Sequence, residues 1–106
     1  MAKDPAFLFF PGDWLGGTMT LTRYHKGAYM DLLMAQFSVG HMTTQEIRHV
    51  LGDKDFEEIW EPVLRKKFKK DKDGLFYNQK LENEIIKRRN FTQSRKNNLN
   101  GSNHKE

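Results

Sequence analysis

Four histidines, His25, His41, His49 and His104, are the side chains of this chain best suited to proton or metal chemistry. No two of them stand in an H-x-x-x-H or H-E-x-x-H pair, and there is no cysteine to complete a zinc site or act as a nucleophile. No G-x-S-x-G elbow or Walker-type glycine loop is present, and Gly12, Gly16 and Gly17 do not make a dinucleotide fingerprint. Two acidic clusters remain, Asp53-Lys54-Asp55 and Glu57-Glu58. Acids at a helix start already have a structural reason there, the positive end of the helix dipole. These residues point away from an enzyme, and neither a metal nor a cofactor is expected.

Charge is the stronger signal. Residues 1–60 carry five Lys/Arg against eight Asp/Glu, a net −3, and residues 61–106 carry thirteen against six, a net +7. Such asymmetry points to a polyanionic partner at the basic end, most often nucleic acid. The runs of basic residues are Arg65, Lys66 and Lys67, then Lys69, Lys70 and Lys72, then Lys87, Arg88, Arg89, Arg95 and Lys96, with Lys80 and Lys105 apart from them. Of these, Arg65, Lys66, Lys69, Lys70, Lys72, Lys87, Arg88, Arg89, Arg95 and Lys96 are the candidate phosphate contacts. The competing reading is a solvated surface, since lysines on an edge hairpin also guard against sheet-to-sheet aggregation.

The elements that must position these charges follow from spacing. The longest apolar run, Ala6-Phe7-Leu8-Phe9-Phe10, is far below the roughly twenty residues of a membrane span and reads as a short strand. No secretory signal pattern is seen, so a cytosolic domain is expected. Asp13 is placed to cap a short turn bearing Trp14, with Leu15 and Met19 as apolar neighbours. Thr22 caps a long helix that Gly40 stops, apolar over much of its circumference. Gly27 within it suggests a close helix crossing, and Asp31 an exposed polar position. Thr43-Thr44-Gln45-Glu46 is a capping box opening a short helix that ends at Gly52.

A third helix begins after Asp53 or Asp55, with Pro62 predicting a kink or restart near Glu61. Asp73-Gly74 marks a hairpin between residues 68–72 and 75–81, with Leu75 and Tyr77 on one face and Phe76 and Asn78 on the other. A last helix starts near Leu81. Residues 1–96 form one domain, and 97–106 a polar, disordered tail. One core is expected from Tyr24, Ala28, Leu32, Phe37, Ile47, Leu51, Phe56, Trp60, Leu64, Phe68 and Tyr77.

Three helices, then a two-stranded hairpin, then a helix is the order of an α+β winged-helix-like domain, with residues 6–10 offering a third strand to the wing sheet. In the usual docking the third helix enters the major groove by its first residues. Here these are Asp53, Asp55, Glu57, Glu58 and Glu61, which phosphates repel, although Glu can accept from cytosine. The grip is therefore expected from the wing and the C-terminal helix. The alternative is a protein-docking module that uses Glu57, Glu58 and Glu61.

Gly12-Asp13-Trp14-Leu15, Leu21 and Thr22, and Lys26-Gly27-Ala28-Tyr29 with Leu32-Leu33 resemble the YdaU-like family of phage and prophage proteins. Trp60, Val63-Leu64, Phe68, Asp73-Gly74 and residues 78–84 continue the likeness, which covers roughly residues 7–90. The resemblance implies a winged-helix-like fold and a phage or prophage origin, hence the cytoplasm of a bacterial host. The family's similarity to the N-terminal domains of phage replication organisers implies a role in DNA replication initiation or its regulation. For the alternative, it implies docking onto a replisome component. It brings no catalytic residues.

Overall fold

The computed structural model describes residues 6–104, with side chains described for residues 6–91. The chain is mostly helical, with one two-stranded antiparallel hairpin. Helix α1, Pro11–Gly17, opens on Pro11, whose fixed φ and missing donor suit a first turn. Asp13 lies within that turn and does not cap it. Helix α2, Arg23–Val39, starts where the Thr22 hydroxyl accepts the His25 N–H at 3.0 Å, and it ends at Gly40, φ +92°. Helix α3, Thr44–Leu51, is opened by the reciprocal bonds of Thr43 and Glu46, 2.9 and 3.0 Å. The starts of α2 and α3 follow directly from local capping chemistry.

The third helix of the sequence pattern is wound three ways. A short α-turn, α4, Asp53–Asp55, passes into a π-helix over Phe56–Leu64 and a 3-10 turn over Arg65–Lys67. The Arg65 backbone N–H donates to the Trp60 carbonyl, five residues back. Pro62 sits inside the π segment. A proline removes one donor and crowds the carbonyl four residues before it. The expected kink or restart near Glu61 is thus replaced by a change of winding.

Strands β1, Lys69–Lys70, and β2, Phe76–Tyr77, pair antiparallel, with Lys69 opposite Tyr77 and Lys70 opposite Phe76. They are shorter than the sequence suggests, for two reasons. The Asp71 carboxylate accepts the Asp73 and Leu75 N–H groups at 2.8 and 2.9 Å and so begins the turn early. Asn78 caps the next helix, its side-chain oxygen accepting the Leu81 N–H at 2.9 Å, so α5 starts at Gln79 and runs Gln79–His104. Residues 6–10 form no strand. The third sheet partner is Met42, between α2 and α3, whose N–H and carbonyl bond Phe76 at 2.9 and 2.7 Å.

The core gathers Leu32, Met42, Ile47, Ile59, Trp60 and Leu64, all essentially inaccessible, with Phe68 and Phe76 beside them. Of the expected core, Ala28, Leu32, Ile47, Phe56, Trp60, Leu64 and Phe68 are buried, and Phe37 and Leu51 pack partly buried against them. Tyr24 is 59% exposed, because it lies in the first turn of α2, where its hydroxyl donates to Asp55. Tyr77 is half-buried, and Phe76 takes the inward place. Trp14 stacks on Tyr29, centroids 5.4 Å apart, while Leu15 and Met19 are exposed. Asp31 is exposed.

No close crossing occurs at Gly27: a Cβ there would have nothing within 4 Å. Gly27→Ala should therefore stabilise the chain by about 0.5–1 kcal/mol, read as a rise in the urea midpoint at unchanged slope. A loss of stability would show that the site is tighter than its geometry.

Helix α5 is held at its start. Leu81 is buried, Ile85 packs against the core, and Lys80 Nζ lies 3.0 Å from the Asp13 carboxylate on α1. Residues 86–91 are all exposed. The molecule is elongated, 60 by 31 by 30 Å. Its backbone continues helical across the boundary placed between residues 96 and 97. The side chains of the tail lie outside the described residues.

Candidate nucleic-acid interface

The candidate cations fall into two groups on successive elements. The first spans the 3-10 turn and the hairpin. Lys66, Lys69 and Lys72 are exposed and make no ion pair among the described residues. Lys70 is exposed, its ammonium 5.4 Å from the Phe76 ring centre. Arg65 is more committed. Its guanidinium lies 4.6 Å over the Phe76 ring and donates to the Phe68 carbonyl at 3.2 Å, which fixes its plane and leaves further donors outward. Lys67 is spent on structure, donating to the Gly17 carbonyl at 2.9 Å.

The second group is on α5. Arg88 and Arg89 are exposed with no ion pair among the described residues, and Lys87 lies 3.5 Å from Glu84. Arg88 stands about 14 Å along the helix axis from Gln79. The groups are therefore two grips rather than one cluster. The side chains of Arg95 and Lys96 lie outside the described residues.

The acidic helix start is largely occupied by its own neighbours. Arg48 reaches Asp53 at 3.3 Å and Glu57 at 3.5 Å while its guanidinium covers the Phe56 ring at 4.3 Å. Lys54 pairs with Glu58 at 3.1 Å. Glu61 is exposed and makes no ion pair among the described residues.

Two polar nodes, invisible in the sequence, hold the hairpin to the body. Gln36 and Asn78 are both buried. The Gln36 amide oxygen accepts the Asn78 N–H at 2.7 Å, and its nitrogen donates to the Asn78 carbonyl and to Glu82, both at 3.2 Å. The Asn78 side chain donates to the Tyr29 hydroxyl at 3.0 Å and to the Lys67 carbonyl at 2.9 Å while capping α5. Burial pushes the Tyr29 hydroxyl pKa up, against the pull of the Asn78 bond.

Asn78→Ala removes a cap and leaves the groups around it short of partners. It should cost at least about 2 kcal/mol. Urea denaturation checks this, and a loss below about 0.5 kcal/mol would show that the node contributes little. The order of residues 78–82, Asn followed by Gln, Lys, Leu and Glu, is an N-cap signal that could have placed the helix start.

The second node is His41. Its Nδ1 lies 2.6 Å from Asp71, its Nε2 3.2 Å from Glu82, and its ring stacks on Tyr77 with centroids 4.4 Å apart. Burial alone would lower the imidazole pKa, but the hydrogen bonds to Asp71 and Glu82 outweigh it and raise it above the ordinary 6.5. The bond from His41, with the Leu75 N–H behind it, holds the Asp71 carboxyl below its usual 3.8. Both ring nitrogens are engaged, on opposite sides, so His41 offers no free lone pair. Among the described residues no group of three or more His, Cys, Asp or Glu is placed to hold a metal ion. None of the described helices is long and apolar enough to cross a membrane. Comparison of the chain with protein-family models, with curated proteins and with solved structures gives no match in any of the three.

Proposed function

We propose that this chain is a winged-helix-like, non-enzymatic nucleic-acid-binding domain that grips phosphate through its hairpin and α5. The observation that carries the reading is the state of the hairpin's charges. Lys69, Lys70 and Lys72 are exposed, while the acid between them, Asp71, is turned to His41 and its own turn. Cations presented this way contact backbone and supply affinity without sequence choice.

The winged-helix reading is supported by chain order. Helix α2, the Met42 bridge, α3, the π-wound helix and the hairpin follow one another as helix, strand, helix, helix and wing. Together with the likeness to the YdaU-like family, this favours a phage or prophage protein acting on DNA in replication initiation or its regulation, in the cytoplasm of a bacterial host. Docking onto a replisome component through Glu57, Glu58 and Glu61 has less support, because Arg48 and Lys54 already engage two of the three.

The test is a titration of single- and double-stranded oligonucleotides at two salt concentrations. Binding that weakens steeply with salt is expected. No binding to either oligonucleotide at low salt overturns the reading.

A further inference from the structure

We propose that His41 is a proton-operated latch, which when doubly protonated ties the hairpin turn and the first turn of α5 to the α2–α3 connection, and which opens when it loses a proton. The inference concerns the fold and holds whatever the hairpin binds.

It rests on the chemistry of three groups from three elements. Asp71 of the hairpin faces Nδ1 at 2.6 Å, and Glu82 of α5 faces Nε2 at 3.2 Å. Tyr77 of β2 lies against the ring face, its own hydroxyl turned to Gln79 at 3.2 Å. Carboxylates only accept hydrogen bonds, so both ring nitrogens must donate, and only the imidazolium carries two N–H groups. The neutral ring would leave one nitrogen lone pair facing a carboxylate, converting an attraction into a repulsion.

Each carboxylate passes the constraint onward. Asp71 Oδ1 accepts the Asp73 and Leu75 N–H groups that shape the turn. Glu82 Oε1 accepts from Gln36, whose amide also holds Asn78 at the start of α5. Opening at His41 therefore loosens the turn and the foot of α5 together. The turn ends at Phe76, which Met42, next in sequence to His41, grips through two backbone bonds. Those bonds keep the strand pairing in place when the latch opens, so the change is local.

The pH window follows from the two raised and lowered groups. With its pKa raised, His41 contributes its stability below about 6.5 and loses it as pH rises through the raised value. With its pKa lowered, Asp71 contributes above about 3.8 and loses it as pH falls through the lowered value. The latch is fully closed between these limits and opens toward the alkaline side at the pH range where a histidine works as a switch.

The experiment is amide and imidazole NMR of the full chain between about pH 5 and 8.5, with hydrogen exchange corrected for intrinsic rate. The carbon-bound imidazole protons of His41 and the amides of Leu75 and Glu82 should titrate with one common midpoint above 6.5. Protection at Asp73 and Leu75 should fall roughly twofold to fivefold across it, the equivalent of losing a partly exposed ion pair. His41→Gln cannot donate to both sides and should abolish the common transition. Glu82→Gln should keep the transition and lower its midpoint. An imidazole midpoint at or below 6.5, or Leu75 and Glu82 amides that do not follow it, overturns the latch. Should His41→Gln fail to fold, Glu82→Gln decides alone, and an unchanged midpoint there overturns it.

Discussion

Replacing Lys69, Lys70, Arg88 and Arg89 together with Ala is expected to flatten the salt dependence of duplex DNA binding by about three to four units on a log–log plot. Each neutralised phosphate contributes a slope of about −0.9 through counterion release. Between about 50 and 200 mM salt, the unaltered protein should then lose roughly a hundredfold more affinity than the variant. All four side chains are exposed, so the circular dichroism spectrum should not change. The loss should be alike for all sequences, because backbone contacts carry no base information. Changing Glu57, Glu58 and Glu61 to Ala should leave binding equal or tighter. A docking module predicts the reverse: the Glu changes abolish partner capture, and the Lys and Arg changes matter little.

Trp60→Ala should be the most destabilising single truncation in the hairpin's support. Trp60 is 1% exposed, its ring 5.3 Å from that of Phe68 and 5.2 Å from that of Phe76. It therefore joins the π-wound helix to the entry and the return of the hairpin. Removing a buried aromatic costs about 3–5 kcal/mol, against a total of about 5–15 for a small domain. The melting temperature should fall by roughly 15–30 °C. Tyr24→Phe, at an exposed position, provides the contrast and should stay within about 0.5 kcal/mol. A loss below about 1 kcal/mol for Trp60→Ala would show that the hairpin does not depend on this contact.

Local chemistry was legible in the chain, and long-range pairing was not. Thr22 and Thr43 announce their helices because a capping hydroxyl acts within three residues. Gly74, φ +83°, marks its turn for the same reason. The inward face of the hairpin depends on parity, and parity depends on where the strand stops. Asn78 reads equally as a strand residue or as a cap, and that ambiguity exchanges Phe76 for Tyr77.

Met42 joins Phe76 across 33 intervening positions, with no periodicity to signal it. The contacts of His41 with Asp71 and Glu82 are hidden in the same way. The basic residues themselves were plain to see. Hidden was their engagement: Arg65 and Lys67 reach back onto Phe76 and Gly17, Lys70 lies exposed beside the Phe76 ring, and Lys66, Lys69 and Lys72 are exposed with no ion pair among the described residues.

The length of α5 has a kinetic consequence in the nucleic-acid reading. A helix of 26 residues is about 39 Å long, and among the described side chains its core contacts, Leu81 and Ile85, lie in the first two turns. Charges two turns or more along such a helix stand farther from the core than charges on the hairpin, and fields fade within about 8 Å at physiological salt. Reach therefore governs how often a polyanion is first caught. Lys87, Arg88 and Arg89 should set the association rate, and Lys69, Lys70 and Lys72, on the hairpin, the residence time.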